Sequence, residues 1–300
     1  MKIAIIGGGA LGLLFSHYLS QVHQVILYTK TKKQAELINR EGVHLVEEGV
    51  SRCHLIQARP IELWTDSYDL TFVTVKGYHL SSLMPLFNQR PIKQGGLVFL
   101  QNGMGHLKCL PEYKADTIYL GSVEHGAVKL NLTTVSHNGH GVTRLAVYKG
   151  NTDYLMELKN TVPMEFQIVM EQDYRDMLVK KLLVNAVINP LTAAFTVPNG
   201  MLLTNPFYYK IALELFDEAT MVLGIHNKQE HWHNVRSVCL KTASNRSSML
   251  KDIEAGRETE IDSILGYLVE EAMNKQLEIP LIINYYNYIK GKEIQMGDVK

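Results

Sequence analysis

KIAIIGGGALGLLFSHYLSQVHQVILYTKTKK, residues 2–33, runs through a short apolar stretch, three consecutive glycines, a helical pattern and a second apolar stretch. The run at 2–6 is too short for a core helix and carries no period-2 alternation, which suits a parallel strand buried on both faces. Leu11, Leu14, Phe15, Tyr18 and Leu19 then recur at the spacing that puts apolar groups on one helical face. With the strand predicted at 24–28, this is one βαβ unit, and its crossover is expected to be right-handed.

Working outward, apolar runs at 70–75 (LTFVTV), 97–101 (LVFLQ) and 118–121 (IYLG) continue the sheet. Between Val135 and Lys149 the chain is β-branched and contains the turn sequence HNGHG, which predicts an antiparallel hairpin appended to that sheet. Beyond about residue 172 helical periodicities take over, at 174–189, 207–225, roughly 233–252, 260–276 and 281–290. The expected fold class is therefore α/β: an N-terminal Rossmann-type parallel-sheet domain over 1–171 and an all-helical domain over 172–300. No repeat or low-complexity tract interrupts either part.

Composition narrows the function. Thirty basic residues balance thirty acidic ones, so no overall field draws the chain to nucleic acid or to an anionic membrane, and neither is expected as a partner. Three cysteines far apart, Cys53, Cys109 and Cys239, fit no disulfide framework, and a reducing cytoplasm is the expected setting. The glycines interrupt a run that resembles a short signal peptide, and no apolar stretch is expected to reach the length of a membrane span. His226, His231 and His233 lack a recognised ligand spacing, and Lys228, Gln229 and Glu230 beside them read as an exposed loop; no metal is expected.

GGGALG sets Gly7, Gly9 and Gly12 in the G-x-G-x-x-G register, directly after a strand and at the mouth of a helix. Gly7 allows the turn, Gly9 lets a diphosphate approach the backbone, and Gly12 lets the helix lie close to the strand. Ala10 and Leu11 stand in the helix's first turn, whose unpaired N–H groups favour an anion. At the end of the second strand an NAD enzyme would present a carboxylate, but here the chain reads Thr29, Lys30, Thr31, Lys32, Lys33. Hydroxyls and lysines suit an additional phosphate, so NADP is expected, with Lys30 as the leading contact.

In the helical part, Lys181, Asn185 and Asn189 follow one another at i, i+4 and i+8, each advancing about 40° around the helix. They form one polar stripe among Leu182, Leu183, Val184, Val187 and Ile188. Asparagine is a poor helix former, so two in a helix interior point to a ligand or to a structural network. A lysine partly removed from water can give up a proton at neutral pH, which carbonyl reduction requires. Pro190 should end or kink the helix. Thr259 and Asp262 suit a capping pair, which puts Glu260 in the first turn of another helix.

Taken together, GGGALG, TVK (74–76), QNGMG (101–105), HGA (125–127), KLLVNAVINPLTA (181–193), PNG (198–200) and NRSSMLKDIEAGRETEID (245–262) resemble the ketopantoate reductase family along nearly the whole chain. The resemblance implies NADPH-dependent reduction of 2-dehydropantoate to pantoate, on the route to pantothenate and coenzyme A. It implies a Rossmann-like domain joined to a helical one, with the active site in the cleft. By that resemblance Lys181 is the general acid and Glu260 orients the substrate's hydroxyl groups. Asn102 lies near nicotinamide and substrate with Lys76 close by, and Asn185, Asn189, Asn199 and Ser248 complete the substrate pocket. Lysine stands at position 30, where the family often has arginine and its planar fork. A small 2-oxo acid is the expected partner, and a homodimer is an open option for assembly. Reduction of another small 2-oxo acid remains an alternative. Sensing of NADP(H) without catalysis is a weaker one, because a sensor needs no proton donor.

One charge-assisted phosphate contact is worth about 1.5–3 kcal/mol. Lys30→Ala is therefore expected to weaken NADPH binding roughly ten-fold or more while leaving NADH nearly unchanged; equal losses in titrations of both cofactors would remove Lys30 from the site.

Overall fold

A short apolar strand with no polar face needs neighbours on both edges and cover on both sides. In the structure, a computed structural model that describes residues 1–297 other than Asp66 and Pro91, the first such run is the strand β1 (Lys2–Ile6), inside a large sheet. The remaining strands are β2 (Gln24–Thr29), β3 (Val43–Glu47), β4 (Val50–His54), β5 (Gln57–Pro60), β6 (Leu70–Val73), β7 (Gly96–Phe99), β8 (Ile118–Val123), β9 (Gly126–Lys129), β10 (Thr134–Gly139), β11 (Thr143–Lys149) and β12 (Ile168–Met170). Eight of them form one sheet in the order β12-β11-β8-β7-β6-β1-β2-β5. Pairing is parallel from β5 through β8, and β11 runs antiparallel to β8. Because β1 has β2 on one side and β6 on the other, its carboxyl end is the switch point where α/β sheets open a crevice.

Among the described residues, the α-helices of this part of the chain are α1 (Ala10–Leu19), α2 (Lys32–Glu41), α3 (Leu80–Gln89) and α4 (Asp153–Thr161). The sequence predicts α1 as a helix with one apolar face, yet every residue from Gly12 to Leu19 is buried. A second sheet, β4-β3-β10-β9, accounts for this. The helix packs on β1 and β2 of the large sheet and on β3, β9 and β10 of the small one, so no side of it faces water. Its polar residues are served inside: Tyr18 Oη lies 2.9 Å from His137 Nδ1, and His17 Nδ1 lies 3.5 Å from the Val43 carbonyl.

The expected hairpin over 135–149 does not form. β10 pairs with β9 and β3 in the small sheet, while β11 joins β8 and β12 in the large one. The HNGHG segment is where the chain leaves one sheet for the other, with an irregular register between His137 and Gly139.

From Tyr174 onward the described chain is helical: α5 (Tyr174–Phe195), α6 (Met201–Thr204), α7 (Pro206–Leu223), α8 (Lys228–Lys241), α9 (Ser248–Glu254), a π turn (Asp262–Gly266) that runs into α10 (Tyr267–Lys275), and α11 (Pro280–Gly297). α6, α10 and α11 pack on α7. Three expectations need correction. α5 does not stop before Pro190 but continues to Phe195, because the turn beyond the proline is tied back by Thr192 Oγ1 bonding the Ile188 carbonyl at 2.6 Å and by burial of Leu191 and Ala193. The single helix expected over 233–252 is two, divided at Thr242–Ser247, where Ser247 caps α9 by accepting from Leu250 N at 3.1 Å. Lys228–Glu230 are exposed as expected, but they open α8 and form no loop. α5 is 22 residues long, with a mean hydropathy of 1.3 over its most apolar window, so by length and composition it could cross a membrane; 78% of that window is buried, as in a core helix.

By compactness the chain divides into Met1–Gln101 with Lys108–Met177, and Asn102–Leu107 with Leu178–Lys300. The sequence division at 171/172 falls just ahead of α5, and it leaves the 102–107 loop with the sheet, whereas that loop packs with the helical unit.

Three buried histidines make the fold acid-sensitive. Burial lowers the pKa of each of His17, His106 and His125 from 6.5 to about 4, with neighbouring His54 adding to the shift at His17 and His137 at His125. Above pH 6.5 these groups are neutral folded or unfolded; between 6.5 and about 4 only the unfolded chain takes up their protons, so stability falls as pH falls. The expected loss is about 1.4 kcal/mol per pH unit for each histidine within that window. Urea midpoints measured from pH 7 to pH 5 should drop steeply, and His106→Leu should flatten the fall.

Candidate active site

Apart from Asn102, which lies beyond β7 in the loop that packs with the helical unit, the cofactor residues predicted from the sequence stand at or just past the carboxyl ends of β1, β2 and β6. Gly7 takes φ +113°, and a Cβ on Gly12 would stand 1.7 Å from the Gly7 carbonyl oxygen, so helix and strand approach as only glycine permits. Nothing within 4 Å would meet a Cβ on Gly9, which leaves open space against the backbone where the fingerprint brings a diphosphate. Gly9 is also the N-cap of α1 and supplies no side-chain cap, and no acidic residue occupies the first turn with Ala10 and Leu11. These features fit a dinucleotide: the groups that would hold its diphosphate are the first N–H groups of α1.

Lys30 is exposed at the end of β2. Thr31 follows as the N-cap of α2, accepting from Gln34 N at 3.3 Å, and the first turn of α2 carries Lys32 and Lys33 with no acid. The nearest carboxylate in sequence, Glu36, pairs with Lys32 at 3.6 Å. Lys76 is half-buried three residues beyond β6, which ends at Val73, short of the predicted Val75. Sequence reasoning missed what fastens these strand ends. Thr74 Oγ1 donates to the Ile6 and Gly7 carbonyls at 2.9 and 3.0 Å. Gln101 Nε2 donates to the Val73 and Val75 carbonyls, both at 2.9 Å. The TVK and QNGMG motifs contained both residues, but spacing alone gave them no partner.

The remaining predicted residues all lie in the helical unit. Lys181, Asn185 and Asn189 share one face of α5, whose unbroken course preserves their spacing. Lys181 is half-buried, and Asn185 and Asn189 are each 8% exposed. Among the described residues neither asparagine amide has a hydrogen-bond partner within the chain. Asn199 is buried, donates from Nδ2 to Thr242 Oγ1 at 2.9 Å, and leaves its own Oδ1 unpaired among the described residues. Ser248 is exposed at the first position of α9; the neighbouring Ser247 is the buried cap.

Asn102 and Glu260, far apart in sequence, meet directly: Asn102 Nδ2 donates to Glu260 Oε2 at 2.9 Å. The NGMG motif makes this possible. Gly103 has φ +76°, and a Cβ there would lie 2.0 Å from the Ser263 carbonyl, which accepts from Met104 N at 3.1 Å. Glu260 is 7% exposed, and its turn is fixed from α11. Thr259 accepts from Ile261 N at 3.2 Å, as the predicted cap should. Asp262 does not complete a capping box, however: Glu293 Oε1 accepts from Thr259 N and Oγ1 at 2.8 and 2.7 Å, while Asp262 accepts from Tyr286 Oη and Lys290 Nζ at 2.8 and 3.0 Å. Burial works against the charge on Lys290, but hydrogen bonds to Glu293 and Asp262 outweigh it and raise its pKa.

Glu47, His137 and His140 bring metal-binding atoms within 4.8 Å of one another. Both ring nitrogens of His137 are already engaged outside the cluster, Nδ1 with Tyr18 Oη at 2.9 Å and Nε2 with His125 Nδ1 at 3.1 Å, and His140 Nε2 pairs with Glu47.

Residues 3–150 match the family described as "Ketopantoate reductase PanE/ApbA", and residues 173–293 match "Ketopantoate reductase PanE/ApbA C terminal". A 2-dehydropantoate 2-reductase of Bacillus subtilis (strain 168) is 40% identical over 296 residues, covering 98% of each chain. The crystal structure of a probable 2-dehydropantoate 2-reductase from Bacillus subtilis superposes with a TM-score of 0.89 at 39% identity, covering 98% of this chain and 100% of that one. A D-mandelate dehydrogenase solved with NADH and anilino(oxo)acetate reaches 0.91 at 21% identity, covering 99% and 100%; at that distance the likeness is one of fold.

Gly103→Ala should cost at least about 1–3 kcal/mol from backbone strain alone, before the clash with Ser263, and should release Asn102 from Glu260. Gly105→Ala, whose Cβ would sit 3.3 Å from Ser263 Cα, is the milder comparison. Equal urea midpoints for the two variants would contradict this account of the loop.

Proposed function

The chain belongs to the ketopantoate reductase family, and from that premise we propose that it is an NADPH-dependent oxidoreductase that reduces 2-dehydropantoate to pantoate. The observation that carries the reading to the level of chemistry is the α5 stripe: a half-buried lysine followed, one and two turns on, by two buried asparagines whose amides have no partner within the chain among the described residues. Neither amide is sealed from solvent, so both remain open to a ligand with several oxygens.

When bound, NADPH supplies the hydride. The glycine turn and the open first turn of α1 would hold the diphosphate, and the exposed Lys30 and Thr31 would favour the 2′-phosphate over a bare ribose, while Thr29 is buried and spends its hydroxyl on the Thr31 carbonyl. As hydride reaches C2 of the 2-oxo acid, its oxygen gains negative charge, and Lys181 Nζ donates the proton that makes it a hydroxyl. Asn185 and Asn189 bind the oxygens that do not react. Glu260, with Asn102 on one of its oxygens, uses its carboxylate to accept from the substrate's hydroxyl group, while Asn199 and Ser248 bound the pocket. Three unpaired cysteines agree with a cytoplasmic setting for this reading.

The fold alone does not select the acid, since the D-mandelate dehydrogenase shares it. NADPH oxidation is therefore to be followed with 2-dehydropantoate beside a panel of 2-oxo acids, and a higher kcat/KM for another member would replace the substrate. Lys181→Met keeps length without the proton. It should retain NADPH affinity and lose roughly 10²–10⁴-fold in single-turnover hydride transfer; near-normal transfer by folded Lys181→Met would refute the role of Lys181.

A further inference from the structure

The glycine turn is held from behind by two side chains that its sequence motif does not include. Lys129, the last residue of β9, donates from Nζ to the Gly8 carbonyl at 2.7 Å, and Gln34 of α2 donates from Nε2 to the same oxygen at 2.9 Å. Gln34 is buried, and its Nε2 also bonds the Leu132 carbonyl at 2.8 Å, which ties the β9–β10 connection to the turn. In a trans peptide the carbonyl and the following N–H point to opposite sides. Fixing the Gly8 oxygen therefore fixes the direction of the Gly9 N–H. That N–H donates to nothing in the chain among the described residues, and it belongs to the residue with open space at its Cβ position.

We propose that Lys129 is a positioning residue for the cofactor's diphosphate: with Gln34 it holds the Gly8 carbonyl, presents the Gly9 N–H to the phosphates, and sets a positive charge behind the turn. The inference rests on the reading of this site as an NADPH site. Lys129 is half-buried, and burial lowers its pKa, so the ammonium is held at a cost that one carbonyl acceptor does not remove and a nearby anion would. Its place in the small sheet gives that sheet a function besides covering α1. The role is distinct from that of Lys30, which faces the ribose end: Lys129 answers to the part shared by NADPH and NADH, Lys30 to the phosphate found only in NADPH.

Binding constants of NADPH, NADH and 2′-AMP, measured by calorimetry on the intact chain, separate the two. Lys129→Met should weaken NADPH and NADH by the same factor, roughly ten-fold, because both lose an ordered diphosphate contact. It should leave 2′-AMP, which has no diphosphate, unchanged, and Lys129→Arg should restore most of the loss. A lysine of merely structural importance would lower the melting temperature without that pattern. Unchanged dinucleotide affinity in Lys129→Met, or an equal loss for 2′-AMP, overturns the inference while leaving the cofactor reading intact. Failure of the unsubstituted chain to bind NADPH overturns both. Should Lys129→Met not fold, Lys129→Gln keeps a donor without the charge and is held to the same pattern.

Discussion

The approach of Gly12 to the Gly7 carbonyl determines how close α1 lies to β1, and much of the N-terminal unit follows from it. A helix so near the strand brings its uncapped N–H groups over the end of the sheet, and Thr74, reaching the Ile6 and Gly7 carbonyls from β6, keeps the adjacent strand end in step. The other side of the helix is then apolar and must be covered. The small sheet does so through β3, β9 and β10, and the same strands bring Lys129 and the Leu132 carbonyl to the glycine turn. One steric condition thus accounts for the buried helix, the second sheet and the fastening of the phosphate turn.

What could be read from the sequence was what short-range pattern encodes. The five parallel-sheet runs and the long C-terminal helices have strong local periods, and the glycine register carries its own mechanism. The small sheet has neither. β4 (VSRCH) is exposed along most of its length, and β3 and β10 pair in parallel although some ninety residues lie between Leu45 and its partner Val135. Nothing local marks such a pair, so HNGHG reads as a hairpin turn when it is a crossing between sheets. Pro190 misled for the opposite reason: the local rule against a helix there is sound, but burial of the turn beyond the proline overrides it.

The site divides along the same line. Lys181, Asn185 and Asn189 are legible because helical spacing alone puts them on one face. The contact of Asn102 with Glu260 depends on a glycine loop meeting a π turn, and only the family resemblance brought the two residues together in advance. Gln34, Thr74 and Lys129 act through backbone carbonyls, and a side chain that serves a carbonyl leaves no compositional trace.

The turn bearing Glu260 illustrates how a carboxylate can be held in place by side chains from outside its own turn. Had Asp262 bonded back to Thr259 in the usual capping box, the turn would have been stabilised only by its own residues. Instead Glu293 takes both donors of Thr259, and Asp262 is tied to Tyr286 and Lys290, so three side chains of α11 fix the turn at two points flanking Glu260. Lys290 bridges Asp262 and Glu293 at 3.0 and 2.9 Å, which offsets the repulsion that would follow from gathering acidic groups beside Glu260. A carboxylate held in this way would lose little further freedom on meeting the hydroxyl group proposed for it, because the ordering cost that binding would otherwise carry has been met in folding.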